Sequence, residues 1–538
     1  MARWRVSTLF SPASLPYNAA FAVLPHSTCF QAAIVHSGRP MISLRLSVMM
    51  FLQFFIWGSW YVTAYLFLGK IGFGPYEISW TYSVGPIAGM ISPFFVGMIA
   101  DRFFSTERVL GVMHLLGAAA MAGAIAMMGS ANPEPLVLGG TSIAIPAITL
   151  TESASPLAIN LLFFGYMLCF FPTLALTNSL ALHTMTDSEK QFPLIRVFGT
   201  IGWIVAGLLV SWQGWDAAVN LFYLATIASG LMGVYSFTLP HTPPPAKGQK
   251  VTAKEVLGLD ALVMLKRPAF LTFIISSFLI CIPLAFYYQM ASKFVDHTGQ
   301  ANPALKMSFG QMSEIFFMLV MPLFFARLGV KWMLFVGMLA WVVRYGLFAG
   351  AAVDGAGWMV IGGIVLHGIC YDFFFVTGQI YTDKAAPPAI RSQAQGLLVL
   401  FTLGLGMFIG AQCAGFVENR YTAPEEKRAP LEQSAEAIAK QMDGLESEIV
   451  GLRGEGTIAI SETDSQRIAE LEKQIGDLRE QRSELLLQTV DWRMVWGIPC
   501  GLAAVIMIAF VALFRDDVRP KESLSDVETA DAPGKPAV

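Results

Sequence analysis

Five ionisable side chains stand in stretches that are otherwise apolar. They are Arg196 in "PLIRVFGTIGW", Glu314 in "QMSEIFF", Arg344 in "WVVRYGLF", and His367 and Asp372 in "HGICYDFFF". A charged group at the middle of a membrane span costs about 2.5–3.5 kcal/mol on insertion scales, so such groups face a bundle interior or hydrated cavity and find partners there. Two acids, two arginines and a histidine can balance one another in such a place. Glu314 and Asp372 can each take up and release a proton, which suits proton coupling. Arg196 stays charged and can hold a carboxylate or a substrate oxygen.

The spacing places these groups on faces. Arg196, Thr200 and Trp203 lie four and three residues apart and share one helical face, and Gln311 and Glu314 share another. His367 and Tyr371 are four apart, with Asp372 about a quarter turn round from Tyr371. Trp203 and Tyr371 offer flat surfaces for stacking a ring. Gln311 both donates and accepts, as hydroxyls or a nucleobase edge require. A plainer reading stands beside this one: a buried ion pair of Arg196 with either acid, and Trp203 in ordinary packing. Arg344 reads as structural, because no other polar group shares its face.

Helices long enough to carry these faces across a bilayer recur along the chain. The 538 residues are 55% apolar and only 14% charged, with mean hydropathy +0.58, which points to many spans rather than a large soluble core. The net charge of -3 gives no reason to expect a nucleic-acid partner. The six cysteines form no CxxC pair, and neither a metal nor another cofactor is expected. Apolar runs at 46–68, 77–100, 109–129, 157–182, 193–211, 216–239, 269–293, 307–327, 332–352, 357–381, 389–416 and 493–514 predict twelve transmembrane helices. The stretch 109–189 contains no Lys or Arg, whereas Arg102, Arg108, Lys190, Lys266, Arg267, Arg327, Lys331, Lys384, Arg391 and Arg515 fall at alternate loops or span ends. Positive-inside logic puts those loops and both termini in the cytoplasm. The linker "PHTPPPAKGQKVTAKEV" divides the helices six and six, and "SPFFVGMIADR" in the first half echoes "MPLFFARLGVK" in the second. Parallel six-helix halves are the repeat of the major facilitator fold.

The expected organisation is an N-terminal extension over 1–40 with Met41 as the start of translation, a six-helix bundle over 41–240, a cytoplasmic linker over 241–268, spans seven to eleven over 269–416, an insertion over 417–492, span twelve over 493–514, and a cytoplasmic tail over 515–538. In the insertion, Ile438, Met442, Leu445, Ile449 and Leu452 follow 4-3-4-3 spacing, and Ile468, Leu471, Ile475 and Leu478 follow 3-4-3. This predicts a short antiparallel helical hairpin on the extracytoplasmic side, packed on itself and solvated.

Seven ordered strings, "FLQFFIWGSW" (51–60), "FPTLALTN" (171–178), "FPLIRVFGTIGW" (192–203), "LGLDAL" (257–262), "QMSEIFF" (311–317), "YDFFFVTG" (371–378) and "PAIRSQAQG" (388–396), resemble the nucleoside:proton symporter family of the major facilitator superfamily, the bacterial nucleoside permeases. The resemblance implies import of nucleosides with protons by alternating access, by a monomer in the bacterial inner membrane, with nucleoside, proton and lipid as its partners. It carries the family's substrate site onto Arg196, Thr200, Gln311, Glu314 and Asp372, with Trp203 and Tyr371 where the family has phenylalanine and His367 where it has tyrosine. Span seven departs: Ala285 and Tyr288, with Gln289 adjacent, stand where the family places a glutamine and an asparagine. Asp372 is then expected in the cavity between the halves, compensated by Arg196 and water, and sharing proton coupling with Glu314.

Two other functions fit the residues. The same fold can move a sugar or another polyol, for which aromatic stacking, glutamine and arginine serve equally. A non-transporting receptor could signal through the hairpin. No HExxH, Walker loop or GxSxG motif points to an enzyme.

Overall fold

The computed structural model describes residues 40–129, 131–138, 141–185, 188–244, 259–387, 390–453 and 461–516. The expected N-terminal extension, most of the linker with Lys247, Lys250 and Lys254, the "GEGT" of the insertion and most of the C-terminal tail lie outside the described residues. Residues Met1–Arg45 and Leu46–Val538 form two compact units. The described part of the first is the start of α1; the remaining helices and the candidate site all belong to the second.

In the first half, α1 (Pro40–Gly58) is followed by α2 (Ala64–Lys70), α3 (Pro75–Arg102), α4 (Thr106–Ala126), α5 (Pro156–Thr184), α6 (Ser188–Trp212) and α7 (Asn220–Ser236). Between α4 and α5 a two-stranded antiparallel ribbon joins β1 (Leu136–Leu138) to β2 (Thr141–Ile143), an element that the residue pattern did not predict. The second half contains α8 (Pro268–His297), α9 (Pro303–Ala351), α10 (Gly357–Ala385) and α11 (Gln393–Tyr421). The inserted pair α12 (Glu425–Arg453) and α13 (Glu462–Leu487) precedes α14 (Trp492–Leu513). Eight helices among the described residues are long and apolar enough to cross a membrane. The helix α9 is two arms in one run: Gly329 breaks it with φ 65°, a left-handed conformation that glycine adopts without penalty.

Buried polar pairs tie the helices inside each half. Gln53 is fully buried and satisfied on both sides: its amide nitrogen donates to Thr173 Oγ1 at 2.8 Å, and its oxygen lies 2.9 Å from His114 Nε2. This joins α1, α4 and α5. In the second half, Tyr345 donates to the Pro283 carbonyl at 2.7 Å, while Trp496 stacks on Tyr345 and packs against Phe348 and Phe294. Where the bilayer supplies no partner, such internally satisfied groups specify which helices meet.

Hydrogen bonds between the halves gather at one end of the bundle, the end from which α12 and α13 emerge. There Glu418 of α11, fully buried, accepts from Tyr65 of α2 and from Lys293 Nζ of α8 at 2.8 Å. Gln412 donates to Ser83 of α3 at 2.8 Å. Asp216, in the loop after α6, accepts from the Ala304 backbone at 2.7 Å and from Ser211 Oγ at 2.9 Å, and Ser211 Oγ accepts in turn from the Leu305 backbone at 2.9 Å.

An apolar seam runs between α12 and α13. Ile449 packs with Ile468, Leu471 and Ile475, flanked by Met442, Leu445 and Leu452. Three ion pairs cross between α12 and α13: Arg453–Glu472, Arg467–Glu448 and Arg479–Glu446. The pair is longer than expected, 29 and 26 residues, and it does not pack only on itself. Arg482 makes a two-pronged ion pair with Asp296 at 3.1 and 2.9 Å, and Ser483 donates to the His297 carbonyl.

Candidate functional site between the halves

The helices α6 and α9 pack closely where Gly207 meets Ser308; a Cβ on Gly207 would fall 2.4 Å from Ser308 Oγ. Away from this crossing, toward the end opposite the hairpin, α6 carries Trp203, Thr200 and Arg196, and α9 carries Gln311 and Glu314. All five are partly exposed. The face sharing predicted from spacing therefore places two polar stripes on neighbouring helices of opposite halves. Arg196 lies over the Phe54 ring at 4.1 Å and within electrostatic reach of Glu314 and Tyr371, without an ion pair among the described residues. Trp203 packs at 5.4 Å against Trp57, which also touches Phe170 and Phe171. That is an aromatic wall on the first half.

The second half contributes Tyr288 from α8 and Tyr371 from α10, both partly exposed. The Tyr288 ring meets Tyr61 of the first half at 6.1 Å. Behind them Gln289 is fully buried, and neither its amide oxygen nor its nitrogen has a hydrogen-bond partner among the described residues; the same holds for the amide oxygen of Gln311. Buried polar atoms are nearly always paired, and these unpaired ones belong to residues next to Tyr288 and Glu314 on the helices that flank the gap between the halves.

Asp372 stands apart from its expected partner. It is fully buried, and both carboxyl oxygens lack a hydrogen bond among the described residues. Arg196 does not pair with it, and the acid within its electrostatic reach is Glu314. The backbone explains the placement. Residues Tyr371–Val376 form a π-helical stretch inside α10, a wide turn that re-aims the following side chains and recurs at functional sites. On one side of Asp372, Phe373 packs with Met321 and Met333 of α9. Phe374 comes so close to α9 that a Cβ on Gly337 would lie 2.9 Å from Phe374 Cβ. Asp372 is thus held against the second half, rather than reaching across to Arg196.

His367 is 2% exposed and stacks on Tyr287 at 5.5 Å, with Tyr371 at 5.9 Å and Tyr288 edge-on at 6.5 Å. Arg344 Nη1 lies 3.3 Å from its Nδ1, and the Arg344 guanidinium sits 3.3 Å above the Tyr287 ring. Arg344, read from sequence as merely structural, therefore joins the group behind the gap. No signal on its own helix face could have shown this, because its partner belongs to another helix.

A family profile described as nucleoside H+ symporter matches residues 41–156 and 137–429 of the chain. The putative nucleoside transporter YegT of Escherichia coli is 40% identical over 391 residues, covering 71% of this chain and 86% of that protein. Nucleoside permease NupG of the same organism is 29% identical over 399 residues, covering 71% and 89%, and xanthosine permease is 29% identical over 398 residues. The crystal structure of NupG superposes with TM-score 0.66 at 24% identity, covering 89% of this chain and all of that one. A bacterial homologue of the lysosomal transporter Spinster, in an inward-facing conformation, superposes with TM-score 0.53 at 14% identity. These relatives are transporters and permeases, not enzymes, and the chain belongs to the nucleoside:H+ symporter family.

Proposed function

We propose that this protein imports nucleosides together with protons by alternating access, and that the substrate lies between the halves against Arg196, Thr200, Trp203, Tyr288, Gln289, Gln311, Glu314, His367 and Tyr371, with Asp372 behind them. The observation that carries this reading is the set of orphaned polar atoms on Gln289, Gln311 and Asp372 beside a gap lined by the partly exposed Arg196 and Glu314. Purine or pyrimidine rings suit the aromatic walls, and ribose hydroxyls suit the amides and the arginine.

Twelve crossings result if α1 with α2, α3, α7 and the two arms of α9 each span, in addition to the other long apolar helices. The Lys and Arg distribution then puts both termini in the cytoplasm and the hairpin outside. With the hairpin end bonded shut, the gap opens toward the cytoplasm, which is the release stage of import.

Glu314 and Asp372 carry the coupling. Among the described residues Asp372 has both oxygens sealed and no ion pair, a setting that a neutral acid tolerates and a carboxylate does not. Glu314 is partly exposed beside Arg196 and can exchange its proton with the cytoplasm when the gap is open.

The test is uptake of radiolabelled uridine into proteoliposomes with and without an inward proton gradient, competed with other nucleosides and with hexoses. Gradient-driven accumulation that nucleosides block and hexoses do not supports the proposal. Block by hexoses makes the protein a sugar transporter. Binding with no accumulation under any gradient favours a receptor, a role for which the solvated hairpin would be the output.

A further inference from the structure

Arg344 is fully buried, and among the described residues its guanidinium meets no carboxylate. Two of its nitrogens, Nε and Nη2, have no hydrogen-bond partner. Breaking even with such a charge requires partners, and an apolar side chain of similar length would be cheaper in a membrane-embedded core. Stability therefore does not account for the residue. What it does contact is the face of Tyr287 and one nitrogen of His367, with the Cys370 thiol also within its electrostatic reach.

That nitrogen settles the chemistry of the ring. A guanidinium has N–H donors and no acceptor, so the His367 Nδ1 it approaches at 3.3 Å must present a lone pair. A neutral imidazole with an unprotonated Nδ1 carries its proton on Nε2. The two ring nitrogens point well over a right angle apart, so with Nδ1 turned to the buried arginine, Nε2 is directed elsewhere. It has no protein partner among the described residues. The ring edges around His367 belong to Tyr371 and Tyr288, the two partly exposed aromatics of the candidate site.

We propose that Arg344 is a positioning residue that locks His367 in the Nε2–H tautomer, so that His367 donates a hydrogen bond to an acceptor oxygen of the bound nucleoside. The substrate half of this statement rests on the transport reading above; the tautomer half does not. Tyr287 lies against both the guanidinium and the imidazole and holds them beside each other. A histidine with an unfixed tautomer would present a donor or an acceptor at random, and the lock converts it into a dedicated donor. The tyrosine that the family resemblance places at this position can also donate, so His367 with Arg344 acts as a two-residue replacement for one hydroxyl.

Two measurements on the full-length protein in nanodiscs test this. The first is nitrogen NMR of histidine-labelled protein at neutral pH, with His367 assigned by its loss in His367→Asn. The expected result is a neutral ring protonated at Nε2 in wild type, turning into a tautomer mixture in Arg344→Met and retained in Arg344→Lys, which still donates. The second is uridine affinity in a double-mutant cycle. His367→Phe should weaken binding about 3- to 10-fold, the worth of one hydrogen bond, Arg344→Met should weaken it about 2-fold as the donor tautomer becomes one of a mixture, and the double variant should be no weaker than His367→Phe, with Arg344→Lys close to wild type. A wild-type ring protonated at Nδ1, or losses that multiply in the double variant, overturns the proposal. Should wild type bind no nucleoside, the transport reading fails, while the spectrum still decides the tautomer. Arg344→Lys guards against misfolding of Arg344→Met.

Discussion

Asp216 caps a helix of the opposite half: its Oδ1 accepts from the backbone N–H of Ala304 at 2.7 Å, in the first turn of α9. Ser211 doubles the contact by taking the N–H of Leu305. The first N–H groups of a helix have no partner of their own, and a carboxylate there is favoured by the helix dipole as well. Because α9 also carries Gln311 and Glu314, this cap joins the candidate site to the closed end of the bundle. Removing such a cap costs about 0.5–2 kcal/mol, so Asp216→Ala should shift the population toward separation at this end. Spin labels at the exposed Lys70 and Asp354 should report longer distances in the variant; an unchanged distribution means that the cap does not hold the halves. Burial pushes the Asp216 carboxyl above the usual carboxylate range, with Asp296 adding to the effect and its hydrogen bonds opposing it. Separation would release it to the ordinary value, so the closed end binds the proton more tightly. Acidification through the raised value should therefore favour the closed form, and raising the pH through it should favour the open one. The Asp216→Ala variant should lose that dependence.

The two acids of the candidate site should separate in function. Glu314 is partly exposed beside Arg196, whereas Asp372 is sealed with no hydrogen-bond partner among the described residues. Asp372→Asn holds the neutral state and the shape, so it should keep uridine binding and equilibrium exchange across the membrane while losing at least about 10-fold of proton-driven accumulation. Glu314→Gln removes a charge from the open gap and should weaken uridine binding itself. Exchange and gradient-driven uptake, measured on the same vesicles, distinguish these. Loss of binding in Asp372→Asn with full accumulation in Glu314→Gln would reverse the assignment.

Much of this arrangement was readable in the chain, and the unreadable parts share a cause. Periodicity alone located Arg196 with Thr200 and Trp203, Gln311 with Glu314, and the Met442–Ile449 seam against Ile468–Ile475, because each is a relation within one helix or between two adjacent ones. The pairing of Arg344 with His367 lies between faces of different helices, and spacing carries no information about which faces meet. The expected compensation of Asp372 by Arg196 failed for a local reason. That expectation came from the family resemblance and not from spacing, and spacing on one helix carries no sign that the residues after Asp372, in the π-helical stretch Tyr371–Val376, pack onto α9. Asp216 went unnoticed because it sits in a short loop, where a cap depends on a helix start almost ninety residues later in the chain. The β1–β2 ribbon was equally silent: its strands are three residues each, too short for alternation to register.

The insertion offers the clearest separation of folding from transport. Its two ends meet: Thr422 and Val490 form an antiparallel bridge, flanked by the hydrogen bonds Ala423 N–H to Thr489 O and Asp491 N–H to Tyr421 O. Replacing residues 425–487 by a short Gly-Ser linker should therefore leave α11 and α14 in register. What is lost is the grip of α13 on the end of α8, where Arg482 holds Asp296 and Ser483 holds the His297 carbonyl. The ion pair is partly exposed on both sides, 22% and 28%, so solvent screening limits its worth to about 1 kcal/mol. The linker variant and Arg482→Ala should each lower the thermal midpoint by a few degrees while uridine uptake stays within about 3-fold of wild type, a change of under 1 kcal/mol in the barrier. Unchanged stability with uptake abolished would instead make the hairpin a working part of the transport cycle, since the residues it grips lie only a few positions from Ala304, where Asp216 joins the halves.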